Sequence, residues 1–201
     1  MNDEFDGPQL RGQLFVARLE YLRRYHGAES VAKVLGSLSE SDQELLKGLD
    51  GSAWYPFGAL VRFDKAAAKA VVPGDTGIFE RFGAASSRIR NEWLGEHAAL
   101  VSPHAFLSRV ADEHRRYHTF GRVIYRRTGF TEGEIVCSEY PEVDETFCLG
   151  ARGYLRGTVE LLTSGPVSIE ERHCQGRGDP ACIFWLRWTG AQEARGDPGS
   201  R

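Results

Sequence analysis

Residues 144–188, DETFCLGARGYLRGTVELLTSGPVSIEERHCQGRGDPACIFWLRW, read as one long helix followed by a two-stranded hairpin, and that reading decides the fold. The helix opens at Asp144 or Glu145 and runs to Thr163, where Ser164-Gly165-Pro166 stops it, since proline cannot continue a helix. Projected at 3.6 residues per turn, Cys148, Ala151, Tyr154, Leu155, Thr158, Val159 and Leu162 share one broad face, while Arg152, Arg156 and Glu160 lie opposite. Residues 167–174 and 182–188 then alternate apolar and polar as antiparallel strands do, joined by the turn QGRGDPA.

Upstream, apolar residues recur at helical spacing. Leu14, Phe15, Leu19, Leu22 and Tyr25 predict a helix over 13–25 that Gly27 can close, and Val31, Val34, Leu35 and Leu38 predict a second one. Ser39 offers a capping oxygen to a short third helix around Leu45 and Leu46. Residues 48–56 read as a loop, 57–71 as a helix, and 78–93 as another. Ser102-Pro103 is a helix start, a capping hydroxyl ahead of proline at the first helical position. That helix is expected to bury Phe106, Val110 and Tyr117 and to run on to Arg126, with a strand at 134–138 after it. The fold class is therefore α+β. A helical N-terminal half, about residues 1–100, packs with a small antiparallel sheet and the long helix of a C-terminal core, about 101–189, in a single domain.

Three of the four cysteines and Glu171 fall within 35 residues. Cys148 points inward near a helix N-terminus, where the helix dipole favours a thiolate. Glu171 shares a strand face with Val167 and Ile169, where a lone carboxylate is costly unless something satisfies it. Cys182 faces the same way as Phe184, Leu186 and Trp188. Cys174 sits three residues after Glu171, so the strand must end or bulge for it to join them, which Gly176 and Gly178 permit. Cys148, Glu171, Cys174 and Cys182 admit two readings: small buried hydrophobes, or a closed tetrahedral zinc site. Spacing does not choose between them. Cys137 lies outside the pattern as a core thiol.

The stretch from Phe147 to Trp188 resembles the 4-vinyl-reductase-type small-molecule-binding domain, which also forms the sensor module of phenol- and toluene-responsive bacterial activators. Cys148 ahead of Gly153-Tyr154 and Gly157, then Glu171, Cys174, Gly178 and Cys182, carry the resemblance. It implies a structural zinc on Cys148, Glu171, Cys174 and Cys182, a fold with dimeric relatives, and an apolar pocket. The segments RGQLFVARLEYL (11–22) and SAWYPF (52–57) are also similar to a myxobacterial family of paralogous proteins of about 200 residues. The histidine and tryptophan that hold the ligand hydroxyl in the phenol sensors have no assignable counterpart, so the ligand class does not carry over.

The other patterns narrow the function. The 201 residues carry a net charge of −3, which gives no general attraction to nucleic acid. Arg115, Arg116, Arg122, Arg126 and Arg127 interleave with aromatic residues, and a solvated arginine face explains them best. No secretory signal opens the chain and no run of about 20 apolar residues exists to span a bilayer, which points to a cytoplasmic protein with reduced cysteines and no membrane insertion. Residues 190–201 are expected to be a disordered tail. No nucleophile motif, phosphate loop or dinucleotide fingerprint occurs, and His104, His114 and His118 can line a pocket but do not by themselves make a haem site. Gly150, Gly153 and Gly157 share one narrow helix face, which calls for close backbone packing against a strand or a second subunit. The last strand is apolar on both faces, Ile183 and Trp185 against Phe184, Leu186 and Trp188, and a homodimer is the simplest cover. The expectation is a non-catalytic cytosolic sensing domain binding an apolar or aromatic small molecule, with Phe106, Val110, Tyr117, Phe147 and Tyr154 lining the pocket. The alternative is a trafficking-adaptor-like dimer that presents a surface to another protein; an enzyme acting on an apolar aromatic ranks third.

Overall fold

The structure, a computed structural model, describes residues 7–94, 102–141 and 143–190, apart from the side chains of 90–94. In chain order the elements are β1 (Gln9–Arg11), α1 (Gln13–Gly36), α2 (Glu40–Leu46), β2 (Trp54–Pro56), α3 (Phe57–Val71), α4 (Gly77–Leu94), α5 (Pro103–Leu107), α6 (Val110–Tyr117), β3 (Arg122–Arg127), β4 (Glu132–Ser138), α7 (Glu145–Glu160), β5 (Val167–His173) and β6 (Cys182–Trp188). The α+β class holds. The expected tail lies outside the described residues from 191 onward.

Local chemistry accounts for most boundaries. Gly27, at φ 83° and ψ 166°, kinks α1 where the sequence separates two helices. Ser39 accepts the amide of Asp42 at 3.2 Å to start α2, and Ser102 accepts that of Ala105 at 3.3 Å to start α5. Asp144 caps α7 by accepting the amide of Thr146 at 2.9 Å, and α7 ends at Glu160 rather than Thr163.

Two regions differ from the sequence reading. Residues 54–56 are not loop but strand β2, paired antiparallel with β1. The helix predicted to run from Pro103 to Arg126 is two short helices followed by β3. Gly121, at φ 76°, turns the chain after α6, and Arg122 to Arg127 then pair antiparallel with Ser138 to Gly133 of β4. The four-stranded sheet has the order β3-β4-β6-β5, all neighbours antiparallel.

One apolar core gathers α1, α3 and α4 around Phe15, Leu22, Leu60, Phe63 and Phe82; the other fills the concave side of the sheet with Ile135, Phe184, Leu186, Trp188, Leu155 and Val159. The α4–α7 contact joins them. The glycine face of α7 meets this helix, not a strand or a second subunit. A Cβ on Gly153 would overlap the Glu80 carbonyl, and one on Gly83 of α4 would overlap the Gly150 carbonyl. On the outer side of the sheet, Trp185 lies between the guanidinium groups of Arg172 and Arg187, each within 3.8 Å of a ring centroid. Those stacked cations cover the indole within the chain.

Candidate functional site

Two sites adjoin on α7 and the sheet. The first is the cysteine cluster. Cys148, Glu171, Cys174 and Cys182 each offer a donor atom, and those atoms lie within 4.8 Å of one another. A register shift between Glu171 and His173 in the β5–β6 ladder supplies the expected bulge and turns Cys174 to the same side as Glu171. All three cysteines are buried, and the Glu171 side chain is 3% exposed. The Cys148 and Cys182 sulfurs are 3.6 Å apart. A zinc with Zn–S bonds of about 2.3 Å sets neighbouring sulfurs of a tetrahedron at about 3.8 Å, so this pair is already at ligating separation.

The charges in this cluster are unbalanced. One Glu171 oxygen meets Arg177 Nη1 at 3.3 Å, and Oε1 is buried with no partner among the described residues. Hydrogen bonds from the Cys148 thiol, and then from the Gln175 amide, pull the Cys182 thiol down to about 7 against the cost of burial. Its partner Cys148 is driven up, first by that same hydrogen bond and then by burial. Burial raises Cys174 as well. Three buried sulfurs and an orphaned carboxylate oxygen thus form a donor set that accommodates little negative charge by itself. A divalent cation would supply the missing counter-charge. The set fits zinc, and four protein donors leave no open position for water. His173 stands apart, exposed on β5 and 3.4 Å from Asp179.

The second site is a cavity of about 150 Å³ between α1, α4, α6, α7 and the sheet. Apolar cavities of that size accept benzene or xenon. Val110, Tyr117, Phe147 and Tyr154 lie on its wall. Phe106, placed with them by the sequence, instead packs into the C-terminal core beside the cavity wall. Sequence spacing missed Arg18, Cys137 and Tyr140, which also line it. Arg18 is held from behind by Asp64 at 3.3 Å and Ser86 at 2.7 Å.

The polar groups of the cavity centre on two histidines one helical turn apart. His114 and His118 stack with ring centroids 4.4 Å apart, and His114 Nε2 pairs with the Tyr140 hydroxyl at 2.8 Å. His118 Nδ1 lies 3.2 Å from the His114 carbonyl, which only accepts, so Nδ1 carries the hydrogen. Nε2 of a neutral ring is then a bare lone pair, and it is buried without a partner among the described residues. Burial holds His118 down at about 3, helped by His114, and holds His114 at about 4, helped by Arg115. His104, by contrast, bonds the Tyr125 hydroxyl and the Phe130 carbonyl and packs on Trp188, away from the cavity.

The depressed histidines predict acid sensitivity. Their charged forms are favoured in the unfolded chain, so their contribution is intact above about pH 6.5 and fades as pH falls toward 4, by about 1.4 kcal/mol per histidine per pH unit. The lowered carboxylates Asp42 and Asp75 act only below their ordinary value of 3.8, outside this window, and Asp64, raised by burial, acts in the opposite sense. Melting curves at pH 7.5 and 5.0 should show His118→Gln losing less stability between the two than the parent chain. An equal loss contradicts the neutral buried ring.

Comparison with known proteins places both sites in context. The family model of the 4-vinyl reductase domain matches residues 130–187, a stretch that contains all four cluster donors. No curated protein matches the chain. Among solved structures, an H-NOX protein from S. oneidensis in the Fe(II) ligation state is 12% identical, with a TM-score of 0.73 over 92% of this chain and 99% of that one. An unliganded Fe(II) H-NOX mutant from K. algicida is 11% identical, with a TM-score of 0.68 over 89% and 96%. A structure probing heme distortion in the H-NOX family is 13% identical, with a TM-score of 0.69 over 92% and 97%.

Haem, which that fold implies, does not fit the cavity as it stands. At about 150 Å³ the cavity has room for about one six-membered ring rather than a macrocycle. The ring nitrogens of His104 are both engaged and His114 Nε2 is tied to Tyr140, while His118 Nε2 has no partner among the described residues, so the limit is space and not the lack of a nitrogen donor. The chain therefore shares the H-NOX fold, carries a 4-vinyl reductase domain match across its cysteine cluster, and presents a cavity scaled to a much smaller guest.

Proposed function

We propose that this protein is a small-molecule-sensing domain that binds a single apolar or aromatic ring in the cavity, with a structural zinc on Cys148, Glu171, Cys174 and Cys182. The buried, unpartnered His118 Nε2 on a largely apolar wall is the observation that carries this reading. A polar atom without a partner is costly in a finished core, and a guest bearing one hydrogen-bond donor removes that cost. Val110, Tyr117, Phe147 and Tyr154 would enclose the ring, and Arg18 and Tyr140 would shape its polar end. The family-model match and the shared fold support a sensing role. Zinc would pin α7 to the β5–β6 hairpin and so set one wall of the cavity. The domain would act without catalysis, as a cytoplasmic homodimer whose equilibrium the ligand biases.

We read the arginine face as a solvated, ion-paired one. Arg115, Arg116, Arg122 and Arg126 each lie within ion-pair distance of an acid, and Arg127 donates to the Gly129 carbonyl. Among the described residues, no helix is long and apolar enough to cross a membrane.

Phenol and toluene make a matched test, because they share a ring and differ in the donor. Calorimetric titration should show phenol binding more tightly by about tenfold, the equivalent of one hydrogen bond to a buried acceptor. His118→Leu should erase that preference. If neither ring binds while the chain captures a single stoichiometric protein partner, the adaptor reading replaces this one.

A further inference from the structure

We propose that the cavity and the metal cluster are thermodynamically linked through the wall they share, with Tyr140 as the positioning residue that transmits the linkage. This rests on the small-molecule reading above. The two sites adjoin in two places. On α7, Phe147 lines the cavity while the adjacent Cys148 belongs to the cluster. On the sheet, Cys137 lines the cavity and stands directly opposite Cys182 in the β4–β6 register.

Tyr140 spans the two sides. Its hydroxyl pairs with His114 Nε2 at 2.8 Å and lies close enough to the Cys137 thiol to interact with it. His114 in turn stacks on His118, whose Nε2 awaits a partner. A guest that engages His118 therefore presses on a stacked ring, a phenol hydroxyl and a thiol that together back the strand carrying Cys182. The cation, from its side, fixes Cys148 and Cys182 and so fixes where Phe147 and Cys137 stand. Each occupant favours the same placement of the wall, so the linkage is positive. Linkage of binding free energies is reciprocal, whichever occupant arrives first.

The full chain loaded with cobalt(II) in place of zinc, with phenol as the probe, tests this. Phenol should bind at least about fivefold more tightly to the loaded chain than to the chelated one, and saturating phenol should raise cobalt affinity by the same factor. The sulfur-to-cobalt absorption bands should shift when phenol binds. Tyr140→Phe keeps the ring and removes only the hydroxyl. Because Tyr140 lines the cavity, the variant should bind phenol more weakly in both states, with the loaded-to-chelated factor reduced to near unity and the band shift gone. A merely structural role would weaken both affinities and leave the factor intact, which would overturn the assignment to Tyr140. Equal phenol constants in loaded and chelated chain, with unmoved bands, overturn the linkage and leave the cavity reading standing. Absence of phenol binding in every state overturns both. If the chelated chain unfolds, the band shift in loaded parent and loaded Tyr140→Phe decides alone.

Discussion

Replacing Gly153 with alanine should lower unfolding free energy by about 3 kcal/mol, the upper part of the range for overpacking a core. In a chain of this size that corresponds to about 6–12 °C in melting temperature. The reason is what the new methyl would meet. It would overlap the carbonyl of Glu80, a backbone atom on α4 that cannot rotate away as a side chain can. Gly83 on the facing helix has the same problem with the Gly150 carbonyl, so Gly83→Ala should cost a similar amount. Helix propensity works the other way, favouring alanine by about 1 kcal/mol, and the steric term must exceed it. Gly36 makes the comparison clean, since a Cβ there meets nothing within 4 Å. Gly36→Ala should be neutral or slightly stabilising. Urea unfolding of the three variants checks the set, and a harmless Gly153→Ala would mean that α4 and α7 do not approach as described.

The second large effect is loss of the cation. Cys182→Ser should abolish zinc retention and lower stability by about 4 kcal/mol, the linkage contribution of a ligand present at a thousandfold its dissociation constant. A chelator added to the parent chain should reproduce most of that loss. Cys137→Ser should keep one zinc per chain, because Cys137 pairs with Cys182 across the β4–β6 ladder but lies outside the four-donor group. If the cysteines were only small core hydrophobes, the chelator would change nothing, and Cys182→Ser would cost no more than Cys137→Ser. Metal analysis with parallel melting curves separates the two cases.

What the sequence reveals here depends on how local the determinant is. The helix over 57–71 and the strand over 182–188 match their observed bounds, because apolar periodicity and flanking breakers define both within a few residues. The four cluster residues were legible too. Glu171 on an apolar strand face posed a problem, and the bulge needed to bring in Cys174 is present. The strand at 122–127 was missed because Arg122-Val123-Ile124-Tyr125 follows a helix and continues its alternation of basic and apolar residues. Its partner β4 decides the matter from across a turn. The glycines of α7 announced a close neighbour without naming it, since α4 lies about 70 residues away in the chain. The cavity was the least legible feature. Arg18 comes from α1 while Cys137 and Tyr140 come from the end of β4 and the loop after it, far along the chain, and only the packed fold brings them to one wall.

X-ray absorption at the zinc edge of the purified full chain tests most directly whether one cation joins α7 to the closing hairpin. One zinc per chain, with three sulfurs at about 2.3 Å and one oxygen at about 2.0–2.2 Å, is the expected result. A stable, folded chain without bound metal, or a zinc surrounded by nitrogen and water, would contradict it.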